Sequence, residues 1–324
     1  IDQKALNTHM LNFRDSIIRC ADVCDVESSE IPDCDVIIGG FPCQSFSTVN
    51  PTKDPFDERA NLYKQMVRVV RDKQPKVFIA ENVKGMMTLH KGQIFNRIIK
   101  AFEEVGYTTY TKLFNAADYG VPQKRLRNFF IITKGEKFDM ARILKSDIAI
   151  TVKDAIGELY QFEGTSSEFR ELHMAPDTPY RTYLRAKNNM IANHDIHYPA
   201  DIQQKRISYV PQGGNWRDVP EELWETNRTT NSGRKNRHSS AYKRLKEDDF
   251  SVTIDAGNQH SNYYHPIFHR LPTVREAARL QSFPDNFVFE GIMTEQYLQV
   301  GNAVPPLMAK CIADATKELF EDEE

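Results

Sequence analysis

The chain has 324 residues, 40% of them hydrophobic and 27% charged, and a net charge of −3 at pH 7. That length buries a sizeable core and suits two domains, while no apolar run approaches a membrane span or a secretory h-region, so a soluble, cytoplasmic-type protein is expected. The five cysteines (Cys20, Cys24, Cys34, Cys43, Cys311) are odd in number and lack paired C-x-x-C spacing, which excludes a fully paired disulfide framework and the usual zinc ribbon.

In chain order, "IDQKALNTHML" opens without an initiator Met, as though partway through a domain. The run "CDVIIGG" predicts a strand leading to "FPCQSFS", and "LYKQMVRVVRD" predicts a helix with Leu62, Met66, Val69 and Val70 on one face. "KVFIAEN" predicts a second strand, "IFNRIIKAFEEVG" a helix with Ile94, Ile98, Phe102 and Val105 on one face, and "NFFIIT" a further strand. Strands apolar throughout suit a sheet covered on both faces, so residues 1–150 read as a doubly wound α/β domain. From 151 to 270 the periodicity weakens into irregular polar sequence. Near 273 order returns: Thr273 and Glu276 of "TVREAARLQ" make a capping box, and an amphipathic helix runs from about Leu307 to Phe320.

Ligand crevices of open α/β sheets lie beyond the carboxyl ends of the strands. Cys43 follows the first strand and Glu81 closes the second, so both project from one sheet edge. Gly39 and Gly40 permit a sharp exit and Pro42 stiffens the turn. Alone, Cys43 reads first as a small buried hydrophobe rather than a metal ligand or nucleophile, and Glu81 as a helix cap or the partner of a lysine. Together they suggest a nucleophile and an acid.

Five segments in order, "GGFPCQSFS" (39–47), "ENVKGM" (81–86), "QKRLRNFFII" (123–132), "REAARLQSFPDNF" (275–287) and "QVGNAVPP" (299–306), resemble the DNA cytosine-5 methyltransferases of bacterial restriction-modification systems. The resemblance implies an S-adenosylmethionine-dependent, Rossmann-like methyltransferase domain with a smaller irregular target-recognition domain (151–270). Residues 271–324 would return to the catalytic domain. It implies methyl transfer to C5 of a flipped-out cytosine in duplex DNA, with S-adenosylhomocysteine as product and no metal. Cys43 would add to C6 as a thiolate, in a site made electropositive by Arg125 and Arg127. Glu81 would bond N3 and N4, its pKa raised in a dry pocket. Gln44, Ser47 and the loop after them would close over DNA, because chemistry on a stacked base requires flipping it out.

By the same resemblance the cofactor pocket would draw on Ile1, Asp22, Val23, Pro42, Leu62, Asn302 and Val304. The family's first glycine-rich motif is absent before Ile1. A truncated chain, a circular permutation and a split enzyme with a second subunit each explain that; truncation is preferred, permutation is disfavoured because no glycine-rich motif follows "QVGNAVPP", and a monomer is expected unless a second chain supplies the motif. The stretch 227–246 carries seven Lys/Arg and no Asp or Glu, so Arg234, Arg237 and Arg244 are candidate DNA contacts. His194, His197, His260, His265 and His269 lack a helical zinc spacing. Two alternatives stay open: a transfer-RNA cytosine methylase and a non-catalytic DNA-binding subunit.

Overall fold

The computed structural model describes residues 2–40, 62–164, 170–186, 189–224, 241–255 and 263–320. Helix α1 (Gln3–Asn12) starts on Asp2, whose Oδ1 accepts from the Lys4 and Ala5 N–H groups. Its far end is anchored across the chain. Asn12 Nδ2 donates to the Val288 carbonyl (2.8 Å), Asn12 Oδ1 accepts from the Val288 N–H (2.9 Å), and Thr8 Oγ1 accepts from the Glu290 N–H (2.9 Å).

The central sheet contains β1 (Val36–Gly39), β2 (Val77–Val83), β3 (Thr108–Asn115) and β4 (Leu126–Thr133), in spatial order β1-β2-β4-β3. β1 and β2 are parallel, joined by helix α2 (Tyr63–Lys73); β4 is antiparallel to both β2 and β3. α2 stops at Gln74, which turns left-handed (φ 51°) ahead of Pro75. α3 (Gln93–Glu103) links β2 to β3. The alternation of β2 sends Phe78 and Ala80 toward Val70 of α2 and Ile98 and Phe102 of α3, with the Phe78 and Phe102 rings 5.3 Å apart. Val77 and Ile79 point the other way, against Met308 and Ile312 of the last helix, Pro306–Lys317. Each fully buried large apolar side chain contributes about 1.5–3 kcal/mol, so coverage of both faces is what favours an unbroken apolar strand.

Two departures from the sequence expectation follow from sheet position. β3 was not anticipated, because an edge strand of "TTYTKLFN" needs few apolar residues; it pairs with β4 as a hairpin without a crossover helix. β1 is apolar, yet Ile38 is 78% exposed, and among the described residues no strand pairs with its outer edge.

A second core joins helices α4 (Val152–Ile156), α5 (Pro179–Arg185), α7 (Val274–Leu280) and α8 (Met293–Asn302), with Leu245, Ile254 and Tyr263 from the intervening chain. α6 (Asp201–Ser208) belongs to a smaller cluster with Ile207, Val210, Trp224 and Tyr264. α9 (Pro306–Lys317) returns to the sheet. Thus the expected third segment is shared between two cores. The capping box of α7 is present as expected: Thr273 Oγ1 accepts from the Glu276 N–H, and Glu276 Oε2 accepts from the Thr273 N–H (2.7 Å).

Around α7 lies a buried ion network. Arg270 pairs with Glu276 (2.8 Å) and Glu163 (2.7 Å), and Arg279 pairs with Asp285 and Glu158 at 2.6 Å each. Arg275 donates to the Ala192, Pro284 and Phe287 carbonyls. Arginines at zero exposure are tolerable only when fully paired, and these make fork-like bonds to carboxylates and carbonyls.

Candidate active site

The register of β1 on β2 pairs Gly39 with Ala80, so both strands end together. A Cβ on Gly40 would lie 3.5 Å from the Glu81 carbonyl, which places the exit of β1 beside Glu81. A cavity of about 360 Å³ opens there, walled by Gly40, Ile79, Phe129, Val304 and Ile312, with Glu81 as its one ionisable lining group among the described residues.

β4 supplies the partner of Glu81. Arg127 Nε lies 2.8 Å from Glu81 Oε1, and both side chains are largely shielded from solvent. Burial pushes the Glu81 carboxyl above its ordinary value, although the Arg127 and Arg125 charges pull it down. The site therefore combines a carboxyl inclined to hold a proton, a fixed cation and an apolar recess. Such a group can donate a hydrogen bond to a ring nitrogen and polarise a heteroaromatic base.

Arg125 is placed differently from Arg127. It is 1% exposed, and its guanidinium donates to the Ile254 (2.8 Å), Gly301 (2.8 Å) and Ala303 (3.1 Å) carbonyls. Burial, and then the Arg127 charge, lower its pKa. Its observed role is to clamp three chain segments, with its charge felt at Glu81 from behind Arg127.

The expected cofactor residues fall in three places. Val304 lines the Glu81 cavity. Asp22 caps a short turn by accepting from the Cys24 N–H (2.9 Å), which holds its exposed carboxylate below the usual range. The Val23 carbonyl accepts from Arg68 of α2 (2.9 Å), which docks that turn on the helix that begins after Leu62. Asn302 lines a separate cavity of about 300 Å³ with Asp2, Phe287 and Leu298. The apolar recess lined by Gly39 and Gly40 suits a flat nucleoside base, and the exposed Asp22 carboxylate, on a separate turn, suits an amino or hydroxyl donor. Cys43, Pro42, Gln44, Ser47, Ile1, Arg234 and Arg237 lie outside the described residues.

Arg244, an expected DNA contact, is placed inside the 151–270 region, bonded to backbone carbonyls. It is 8% exposed, and its guanidinium donates to the Pro266 (2.9 Å), Val210 (3.0 Å) and Ile267 (2.6 Å) carbonyls. Those bonds leave it little to offer a phosphate. His194 and His265 are buried beside the α7 ion network.

Sequence reasoning missed two buried amides behind the site, Gln123 and Gln281. The signal available was their place inside two of the five ordered segments.

A family model described as "C-5 cytosine-specific DNA methylase" matches residues 1–318. Type II methyltransferase M.NgoFVII of Neisseria gonorrhoeae is 35% identical over 298 residues, covering 90% of this chain and 72% of that protein. Type II methyltransferase M1.HphI of Haemophilus parahaemolyticus is 34% identical over 332 residues, 100% of this chain and 80% of that one. Among solved structures, an Escherichia coli protein described as a prophage-encoded DNA modification methyltransferase aligns with TM-score 0.78 at 28% identity, over 99% of this chain and 91% of that one. The Dnmt2 methyltransferase of S. pombe shares the fold at TM-score 0.59 and 17% identity, over 99% of this chain and 90% of that one.

Proposed function

Because the chain belongs to the C-5 cytosine-specific DNA methylase family, and is thus a DNA cytosine-5 methyltransferase, we propose that it acts on a flipped-out cytosine through a covalent Cys43 adduct, as the modification enzyme of a type II restriction-modification system. The observation that carries this reading is the Glu81–Arg127 pair at the mouth of an apolar cavity, next to the exit of β1.

Three residues of chain span at most about 11 Å, so the tether from Gly40 keeps Cys43 within reach of Glu81. The Cys43 thiolate adds its electron pair to C6 of cytosine, and the displaced π pair moves onto the ring. Protonated Glu81 stabilises that charge by donating to N3, and its second oxygen accepts from the N4 amino group. Arg127 orients Glu81 and, with the Arg125 charge behind it, favours the thiolate. Asp22, Val23, Leu62 and Val304, with Ile1, Pro42 and Asn302, would hold S-adenosylmethionine, whose sulfonium methyl would pass to C5 as its S–CH3 bond breaks and S-adenosylhomocysteine leaves. A base then removes the C5 proton, the C5–C6 double bond re-forms and the thiolate leaves. Flipping costs on the order of a few kcal/mol in stacking and pairing, offset by these contacts.

We assign residues 1–150 and the returning 271–324 to catalysis and 151–270 to target recognition. The basic run 227–246 supports the second assignment, with Arg234 and Arg237 contacting DNA. Gln44 and Ser47 follow the nucleophile on the loop that would close over the duplex.

Trapping tests the reading. Duplex DNA with 5-fluorocytosine at the target cannot lose its C5 substituent as a proton, so the adduct persists and shifts on a denaturing gel. Cys43→Ser abolishes it. An adduct that survives in Cys43→Ser sinks the assignment.

A further inference from the structure

Gln123 and Gln281 are both fully buried, and together they connect four distant stretches of chain. Gln281 Nε2 donates to the Val300 (3.1 Å) and Ala303 (2.8 Å) carbonyls, and Gln281 Oε1 accepts from Gln123 Nε2. Gln123 Nε2 also donates to the Leu280 carbonyl (3.2 Å), while Gln123 Oε1 accepts from the Ile254 N–H (2.9 Å). The Ile254 carbonyl is in turn held by Arg125, which also reaches Ala303. Both backbone groups of Ile254, within the recognition stretch, are therefore fixed by side chains that hold 300–303 directly, as Arg125 does, or through Gln281, as Gln123 does.

A primary amide suits such a relay because it accepts at one atom and donates at the other, with a fixed geometry between them. In a dry setting the arrangement has few alternatives: shifting either end of the chain breaks bonds that no water can replace. Asn302 and Val304, assigned above to the cofactor, flank the clamped Ala303.

We propose that Gln281 and Gln123 are positioning residues. Gln281 holds 300–304 in the cofactor-binding conformation, and Gln123 couples that conformation to Ile254 of the recognition region, so that bound DNA changes cofactor affinity. The proposal rests on the functional reading above. It implies reciprocity: if DNA tightens the cofactor, the cofactor tightens DNA by the same factor.

The test measures S-adenosylhomocysteine binding to the full polypeptide by calorimetry, with and without saturating unmethylated genomic duplex fragments. Gln281→Leu is expected to weaken binding about 10- to 100-fold, the equivalent of one or two buried hydrogen bonds. It should raise the KM for S-adenosylmethionine by a similar factor while kcat changes by less than about 3-fold. Gln123→Glu keeps the acceptor for Ile254 and loses the donor to Gln281. Its DNA-free affinity should fall less than that of Gln281→Leu, and the difference made by DNA should vanish. If Gln281→Leu does not fold, Gln281→Glu serves instead. It regains a donor only when protonated, so its affinity must rise as pH falls, relative to wild type. A folded Gln281→Leu that binds as wild type does, a flat pH response in Gln281→Glu, or a wild-type affinity indifferent to DNA overturns the proposal. A wild-type protein that binds no S-adenosylhomocysteine overturns the functional reading, and this proposal with it.

Discussion

Arg127 reaches Glu81 diagonally across two antiparallel strands: the register sets Glu81 opposite Phe129 and Arg127 opposite Val83, yet Nε and Oε1 stand 2.8 Å apart. The two-residue offset keeps both side chains on one face of the sheet. The ion pair thus depends on the β2–β4 register, and a one-residue slip would turn one partner away.

Glu81 titration should govern the alkaline limb of the rate profile. Burial raises its pKa and Arg127 opposes that rise, so the neutral, donating form is lost as pH climbs through the folded value. Arg127→Leu removes the opposing charge and should move this limb to higher pH while lowering the maximal rate. Glu81→Ala should cost about 10²- to 10⁴-fold in single-turnover rate, the usual scale for a general acid–base group. Methyl transfer measured from pH 5 to 10 checks both, and an unmoved limb in Arg127→Leu counts against the pairing.

The two kinds of recognition-region arginine should separate experimentally. Arg244→Ala removes bonds to three carbonyls and should destabilise the fold by about 2–3 kcal/mol, with the salt dependence of DNA binding unchanged. Arg234→Ala and Arg237→Ala should leave stability alone and reduce the slope of log affinity against log salt by about 0.9 per lost phosphate contact. Urea melts and fluorescence anisotropy across a salt series distinguish them.

Arg270→Met should be among the most destabilising single changes, about 3–5 kcal/mol, because it leaves Glu276 charged and buried without its chief partner. Adding Glu276→Gln keeps the cap on Thr273 and removes the stranded charge. That double variant should therefore be more stable than Arg270→Met alone in chemical denaturation.

Two buried histidines should make the fold sensitive to acid. Burial depresses His265 to about 3 and His194 to about 4 from 6.5, and the attraction of Glu276 does not reverse it. The unfolded chain takes up these protons first, so stability falls as pH drops below about 6.5 and keeps falling toward about 4. The slope is about 1.4 kcal/mol per pH unit for each histidine. His265→Asn keeps an acceptor for the Ile267 and Phe268 N–H groups and should roughly halve the slope in that window. An unchanged slope would assign the acid sensitivity elsewhere.

The parts of this arrangement that were legible in the sequence are those governed by local periodicity. The α2 and α3 faces, the apolar β2 and the Thr273–Glu276 cap follow from side-chain spacing alone. Glu81 ends its strand beside the exit of β1, a placement that follows from the carboxyl ends of the strands lying together. Where burial depends on distant partners, the sequence was silent. Arg244 shares its local composition with Arg234 and Arg237, so nothing nearby in the sequence foretells its bonds to the Pro266, Val210 and Ile267 carbonyls. Arg125 and Arg127 are two residues apart in one motif, yet one clamps backbone and the other meets a carboxylate. β3 was hidden because an edge strand carries little hydrophobic signal.

The bonds of Asn12 to Val288 also set a timetable for synthesis. They close a loop of 276 residues, and translation at about 5–20 residues per second needs roughly 15–55 s to cover that distance. Through that interval the first helix emerges without its permanent neighbour. Loop closure over such a separation comes late for entropic reasons as well. The segment carrying α1 thus waits for the one carrying Val288, and chaperone capture during that wait would raise the yield of active enzyme.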